Sequence, residues 1–154
     1  MTTAYYDTSY LLKLQCFETG SGEVLVHAGT VEVLYCSLHG RAEFVSACHR
    51  KVREGQATLE QFRAMLAQTH ADNAAGALQW LPVTQSLMER VESVLSSAPS
   101  NIFLRAADAI HLACAAEHGF TDVFSNDRHL LAAAPLFGLR GVNVIHSAQA
   151  RPRP

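Results

Sequence analysis

The chain has 154 residues, 49% of them hydrophobic and 17% charged, which suits one globular domain with a real core. Its formal net charge of −2 excludes a global basic field, so any contact with nucleic acid has to rest on local patches. The four cysteines (Cys16, Cys36, Cys48 and Cys114) show no CxxC or Cys/His ligand spacing, no apolar run reaches membrane-spanning length, and no charged-then-apolar leader is visible; these features point to reduced core thiols in a cytoplasmic protein with no membrane association.

Ala4-Tyr5-Tyr6 is a β-prone run that stops at Asp7-Thr8-Ser9, and Tyr10 to Phe17 has helical composition. The chain therefore opens as strand, acidic turn and helix, with Asp7 suited to cap that helix. Gly20-Ser21-Gly22 lacks the third glycine of a dinucleotide loop and follows a helix, so it reads as a turn into a short helix near Glu23 to Ala28. Val31 to Cys36 is the second strand. It leads through Ser37-Leu38-His39-Gly40 into the segment from Arg41, whose second half is a helix stopped by Gly55. Glu43 falls in the first turn of this helix, where the dipole favours a carboxylate, and Arg50-Lys51-Val52-Arg53 reads as a solvated face rather than an RNA groove.

Thr58 to about His70 is an amphipathic packing helix, with Leu59, Phe62, Met65 and Leu66 on one face. Leu78 to Val83 is a third strand ended by Pro82, and Thr84 caps a further amphipathic helix to Ser97. The loop from Ala98 to Asn101 delivers the chain to Leu104–Gly119, an alanine-rich helix apolar on every side and closed by glycine. Asp108 is an ionisable group in that apolar run, and a buried carboxylate requires a compensating charge. Arg105, His111 or a metal ion shared with other carboxylates could supply it. Thr121 to Ser125 is a fourth strand, Asn126-Asp127-Arg128-His129-Leu130 opens a short helix, and Val142 to Ile145 is a fifth strand. The tail from Ala148 to Pro154 has no apolar content to bury and reads as disordered.

Strands and helices alternate throughout, which argues for an α/β domain built on a mainly parallel five-stranded sheet with helices on both faces. In such sheets sites form beyond the carboxyl ends of strands. Asp7 and Asp127 fall directly after strands, Glu43 starts the helix after another, and Asp108 reaches the same rim from its own helix. Four converging carboxylates repel one another unless a divalent cation neutralises them, and an all-oxygen set suits Mg²⁺ or Mn²⁺ better than Zn²⁺. The implied chemistry is metal-assisted phosphodiester hydrolysis. His111 reads as a structural histidine beside Asp108, while Arg128 and His129 either hold substrate phosphate or solvate a helix surface.

The segments Tyr6-Asp7-Thr8-Ser9, Arg41-Ala42-Glu43-Phe44, Ala106 to Ala113 and Ser125 to Leu130 resemble, in order, spacing and context, the four acidic motifs of PIN-domain ribonucleases. The similarity is greatest to VapC-like toxins of toxin–antitoxin pairs and runs to about Ile145. The resemblance implies one PIN-like nuclease domain over residues 1–147 followed by the tail 148–154. It further implies that Asp7, Glu43, Asp108 and Asp127 are the catalytic acids holding Mg²⁺ or Mn²⁺, and that Thr8 and Ser125 are polar neighbours. The substrate it implies is RNA, and the partners are a cognate antitoxin and a second copy of the chain in a homodimer. Ser37 matches a small polar position before the family's glutamate, whereas His39-Gly40 departs from the more apolar or hydroxylated residues expected there. The rival is a catalytically silent PIN module that only binds a partner protein, which the presence of all four acids disfavours. A phosphoryl-accepting receiver domain is disfavoured by the single Asp after the first strand and the lack of a later strand-end Lys.

Overall fold

Strand β1 (Thr3–Tyr6) lies at the centre of a five-stranded, wholly parallel sheet of order β3-β2-β1-β4-β5. The computed structural model describes residues 1–146. The boundary expected at residue 147 and the tail 148–154 lie outside them. The remaining strands are β2 (Val33–Ser37), β3 (Leu78–Leu81), β4 (Asp122–Phe124) and β5 (Arg140–Val142). Between them run α1 (Thr8–Gln15), α2 (Ser21–Ala28), α3 (Leu38–Arg53), α4 (Leu59–Ala74), α5 (Gln85–Ser97), α6 (Ala106–Glu117) and α7 (Arg128–Ala133), with a 3-10 turn over Ala134–Phe137. Among the described residues no helix is long and apolar enough to cross a membrane.

Alternation along the strands builds a core on each face. Tyr5 and Val123 point to the side covered by α5 and α6, where Leu87, Leu112, Leu130 and Phe137 are buried. Ala4, Tyr6 and Cys36 point to the side covered by α1, α2, α3 and α4, with Tyr10, Val24, Phe44 and Cys48. The α/β expectation with helices on both faces is met. The chain runs outward from β1 through β2 to β3, then returns to the other side of β1 for β4 and β5. The gap beyond the ends of β1 and β4 is therefore the point where the winding reverses, the place where such sheets hold ligands.

Two boundaries that bear on the site differ from the sequence reading. Helix α3 begins at Leu38, capped by Ser37, whose Oγ accepts from the Gly40 N–H at 3.0 Å. Glu43 thus lies in the second turn, and the dipole argument for it falls away. Gly40 is buried in the first turn because a Cβ there would meet Cys36 Sγ and the His111 ring; the glycine lets α3 pass close to α6. The fifth strand ends at Val142 instead of starting there. Tyr10 Oη donates to Asn143 Oδ1 at 2.7 Å and accepts from the Val144 N–H at 2.7 Å, so the chain leaves the sheet and bonds to a side chain of α1.

Candidate active site

The carboxyl ends of β1, β2 and β4 and the start of α6 open onto one cleft of about 500 Å³. Asp7, Glu43, Asp108 and Asp127 all line it, together with Thr8, His111 and Arg105. Four acids spread along more than a hundred residues of sequence share this rim because a parallel sheet aligns every strand end on one edge.

Asp7, 5% exposed, sits between β1 and α1. Its Oδ1 caps α1 by accepting from the Tyr10 N–H at 3.1 Å and also accepts from Ser9 Oγ at 2.7 Å. Its Oδ2 accepts from Ser125 Oγ, which in turn accepts from the Asp127 N–H at 2.9 Å. Ser125 is therefore a fully buried bridge between two of the acids. Burial raises the Asp7 carboxyl above its ordinary range, against the opposing effects of His111 and of the Ser125, Ser9 and Tyr10 hydrogen bonds. Its negative charge is under-compensated where it stands.

Glu43 reaches the cleft from α3. Its Oε1 accepts from Thr8 Oγ1 at 3.0 Å and from His111 Nε2 at 2.7 Å. Burial raises the Glu43 carboxyl, but the hydrogen bond and charge of His111, with Thr8 and His39, outweigh it and hold the group below its ordinary range. His111 is 2% exposed and belongs to this pair, not to Asp108 as the sequence suggested. Behind it the Tyr5 hydroxyl meets Nδ1 at 2.9 Å and accepts from the Ser37 N–H at 3.2 Å. Because a carboxylate only accepts, Nε2 carries the hydrogen in the bond to Glu43, whichever role Nδ1 takes toward the Tyr5 hydroxyl. Tyr5 was invisible as a site residue because a tyrosine in a β-prone run reads as core, which its ring also is.

Asp108 lies in the first turn of α6 with Asp127 across from it. Arg105 spans them: Nε donates to Asp108 Oδ2 at 3.0 Å and Nη2 to Asp127 Oδ2 at 2.8 Å. The sequence placed Arg105 beside Asp108; its second bond, to a residue 22 positions on, needed the fold. Asp127 also caps α7 through Oδ1, which accepts from the His129 and Leu130 N–H groups. The α3 run read as a solvated face turns Arg50 and Arg53 into the lining of the same cleft, while Arg128 is exposed and does not line it.

Among the described residues no three His, Cys, Asp or Glu side chains already form a metal cage. In the arrangement present, Arg105 takes one oxygen each of Asp108 and Asp127. The chemistry of the donors fits a hard divalent cation: four carboxylates and the Thr8 hydroxyl around one cleft, no thiol among its lining, and an Asp7 charge that burial disfavours. Loading such an ion requires Arg105 to yield part of its hold.

The sequence matches the family model of the PIN domain over residues 4–135. The chain belongs to the PIN-domain family. PIN domains are nucleases and generally use divalent metal ions. Among curated proteins no sequence matches this PIN domain. Solved structures do. The toxin VapC20 of Mycobacterium tuberculosis, described as cleaving the sarcin-ricin loop, is similar with a TM-score of 0.66 at 20% identity over 84% of this chain and 94% of its own. FitAcB of Neisseria gonorrhoeae gives 0.70 at 16% identity, covering 93% and 99%. VapBC2 of Rickettsia felis, bound to a promoter DNA fragment, gives 0.69 at 10% identity, covering 92% and 98%. At these identities the likeness establishes the shared fold of the PIN domain.

Proposed function

We propose that this PIN domain is an endoribonuclease dependent on Mg²⁺ or Mn²⁺, acting in the cytoplasm as the toxin of a toxin–antitoxin pair. The observation that carries the reading is the convergence of Asp7, Glu43, Asp108 and Asp127, from four separate elements, on one cleft at the winding reversal, with Arg50 and Arg53 on its wall. The resemblance of the fold to VapC20, FitAcB and VapBC2 supports the toxin role and a small antitoxin protein as partner.

The four acids would hold the cation, which when bound lowers the pKa of water and stabilises the departing oxygen. Thr8 and Ser125 set the directions in which Glu43 and Asp7 face. His111, held by Tyr5, positions Glu43 and keeps its charge. Arg50 and Arg53 offer guanidinium donors to phosphate oxygens of an RNA strand lying in the cleft, and Arg128 adds an exposed cation outside it. The chain forms a homodimer in this reading.

A second reading, a silent module that only binds a partner, is favoured by one observation: Arg105 already satisfies Asp108 and Asp127. Incubating purified protein with RNA in Mg²⁺, Mn²⁺ and excess chelator separates the two. The nuclease cleaves in either metal and stops in chelator; no cleavage under any condition supports the silent module, and cleavage undiminished in chelator refutes the metal dependence. Light scattering on the purified protein reads the dimer.

A further inference from the structure

We propose that Phe103 and His129 form a stacking platform for an unpaired nucleobase at the rim of the acidic cleft. The inference rests on the nuclease reading above and adds to it a base contact made by two residues outside the cleft lining.

The segment leading into α6 alternates. Ile102 and Leu104 pack against the core beneath α6, while Phe103 and Arg105 face outward. Phe103 is 58% exposed, which is unusual for a large ring with a core within one residue on either side. Its ring centroid lies 4.5 Å from that of His129, at an interplanar angle of 53°. Both rings are anchored to the acidic site through their chain neighbours. Arg105, two residues after Phe103, donates to Asp127, two residues before His129, and the His129 N–H donates to Asp127 Oδ1 at 2.8 Å. Two residues of extended chain span about 7 Å, which places the platform beside the cleft and not across the molecule.

A partner of stated chemistry follows from the surroundings. The Phe103 ring is largely exposed beside a half-buried His129, Arg128 is exposed next to His129, and Arg50 and Arg53 line the cleft wall. Aromatic face plus flanking guanidinium groups is the combination that binds a single-stranded nucleic acid, phosphates on the cations and a base on the ring. A-form duplex cannot use it, because its base faces are already stacked and its deep groove excludes side chains. A strand with its phosphates along α3 and one base splayed onto Phe103 passes over the four acids on the way.

The test measures binding of a fluorescein-labelled short RNA single strand, and of the same sequence as duplex, to the full chain in excess chelator so that nothing is cleaved. Phe103→Leu keeps the bulk and removes the π face; it is expected to weaken single-strand binding by about five- to hundredfold. Its duplex affinity and its salt slope should stay as in wild type, whereas Arg50→Ala should flatten the slope. Phe103→Trp should restore single-strand affinity, and 2-aminopurine in the strand should be quenched by wild type and by Phe103→Trp but not by Phe103→Leu. Single-strand affinity unchanged in Phe103→Leu, or strand and duplex weakened alike, overturns the platform while leaving the nuclease reading standing. Absence of RNA binding by wild type overturns the platform, while cleavage in Mg²⁺ or Mn²⁺ decides the nuclease reading separately.

Discussion

Removing one hydroxyl from the buried chain behind Glu43 should be felt at the cleft. Tyr5→Phe leaves the ring, which is fully buried, in the same space, so no cavity term arises. What is lost is the 2.9 Å bond to His111 Nδ1 and the 3.2 Å bond from the Ser37 N–H. Among the described residues every buried side-chain nitrogen and oxygen has a partner, so the substitution would create an orphan at His111 where none exists. A buried group left unsatisfied costs about 1–3 kcal/mol, and with the weakened Ser37 N–H the total is about 2–4 kcal/mol. For a chain of this length that lowers Tm by about 5–15 °C in calorimetry of the metal-free protein. Tyr5 and Glu43 share His111 without touching, so a double-mutant cycle of Tyr5→Phe with Glu43→Gln should show a coupling of at least ~0.5 kcal/mol. A Tm unchanged within about 1 °C, or strictly additive variants, would refute the relay from strand to cleft.

Asp108→Asn should keep the fold, with a stability change below about 1 kcal/mol because its partner Arg105 is largely exposed, and should abolish RNA cleavage; turnover at the wild-type rate contradicts the site. Arg105→Ala should bind Mn²⁺ about fivefold more tightly by calorimetric titration, since a cation no longer competes for Asp108 and Asp127; weaker binding reverses the argument. The metal-free protein should respond to acid through two opposed carboxylates. Glu43 is depressed, so its contribution is present above the unfolded pKa and lost as pH falls through the lower folded value; Asp7 is raised, so its charged form destabilises at neutral pH and protonation relieves this as pH falls. Asp7→Asn should therefore raise stability at pH 7 in chelator and steepen the net loss on acidification, both read from denaturation across a pH series. Gly40→Ala should destabilise by about 1–3 kcal/mol by pressing on Cys36 and His111; a neutral effect would mean that α3 can shift away from α6 without consequence.

The order of strands and helices was legible because each strand is short, apolar and punctuated, and because an α/β alternation admits few topologies. Asp7 and Asp127 were legible as residues after strands, and Asp108 as a charge in an alanine-rich helix. The partners of these groups were not. His111 bonds to Glu43, 68 positions away, and Arg105 to Asp127, because two helix starts and two strand ends share an edge, and no local spacing encodes that meeting. The α3 arginines read as a solvated face because a helical wheel gives the direction of a side chain only relative to its own helix; what stands opposite, here a cleft, is set by packing. The start of α3 was placed late because Gly40 looked like a loop residue, and its role is to admit a neighbour from 71 positions on.

Three of the acids have a second occupation: Asp7 caps α1, Asp127 caps α7, and Glu43 gives a buried histidine its partner. Asp108 caps no helix, and its partner Arg105 is one that water can solvate and that it shares with Asp127, at a helix position where alanine would suit the backbone better. On the proposed nuclease reading, a descendant of this chain that lost its activity could therefore shed Asp108 with little harm to its architecture while keeping Glu43 and Asp127 for the bonds they make. On that reading retention of Asp108 is the discriminating mark of a working copy, and survival of Asp127 by itself certifies only that the domain still folds.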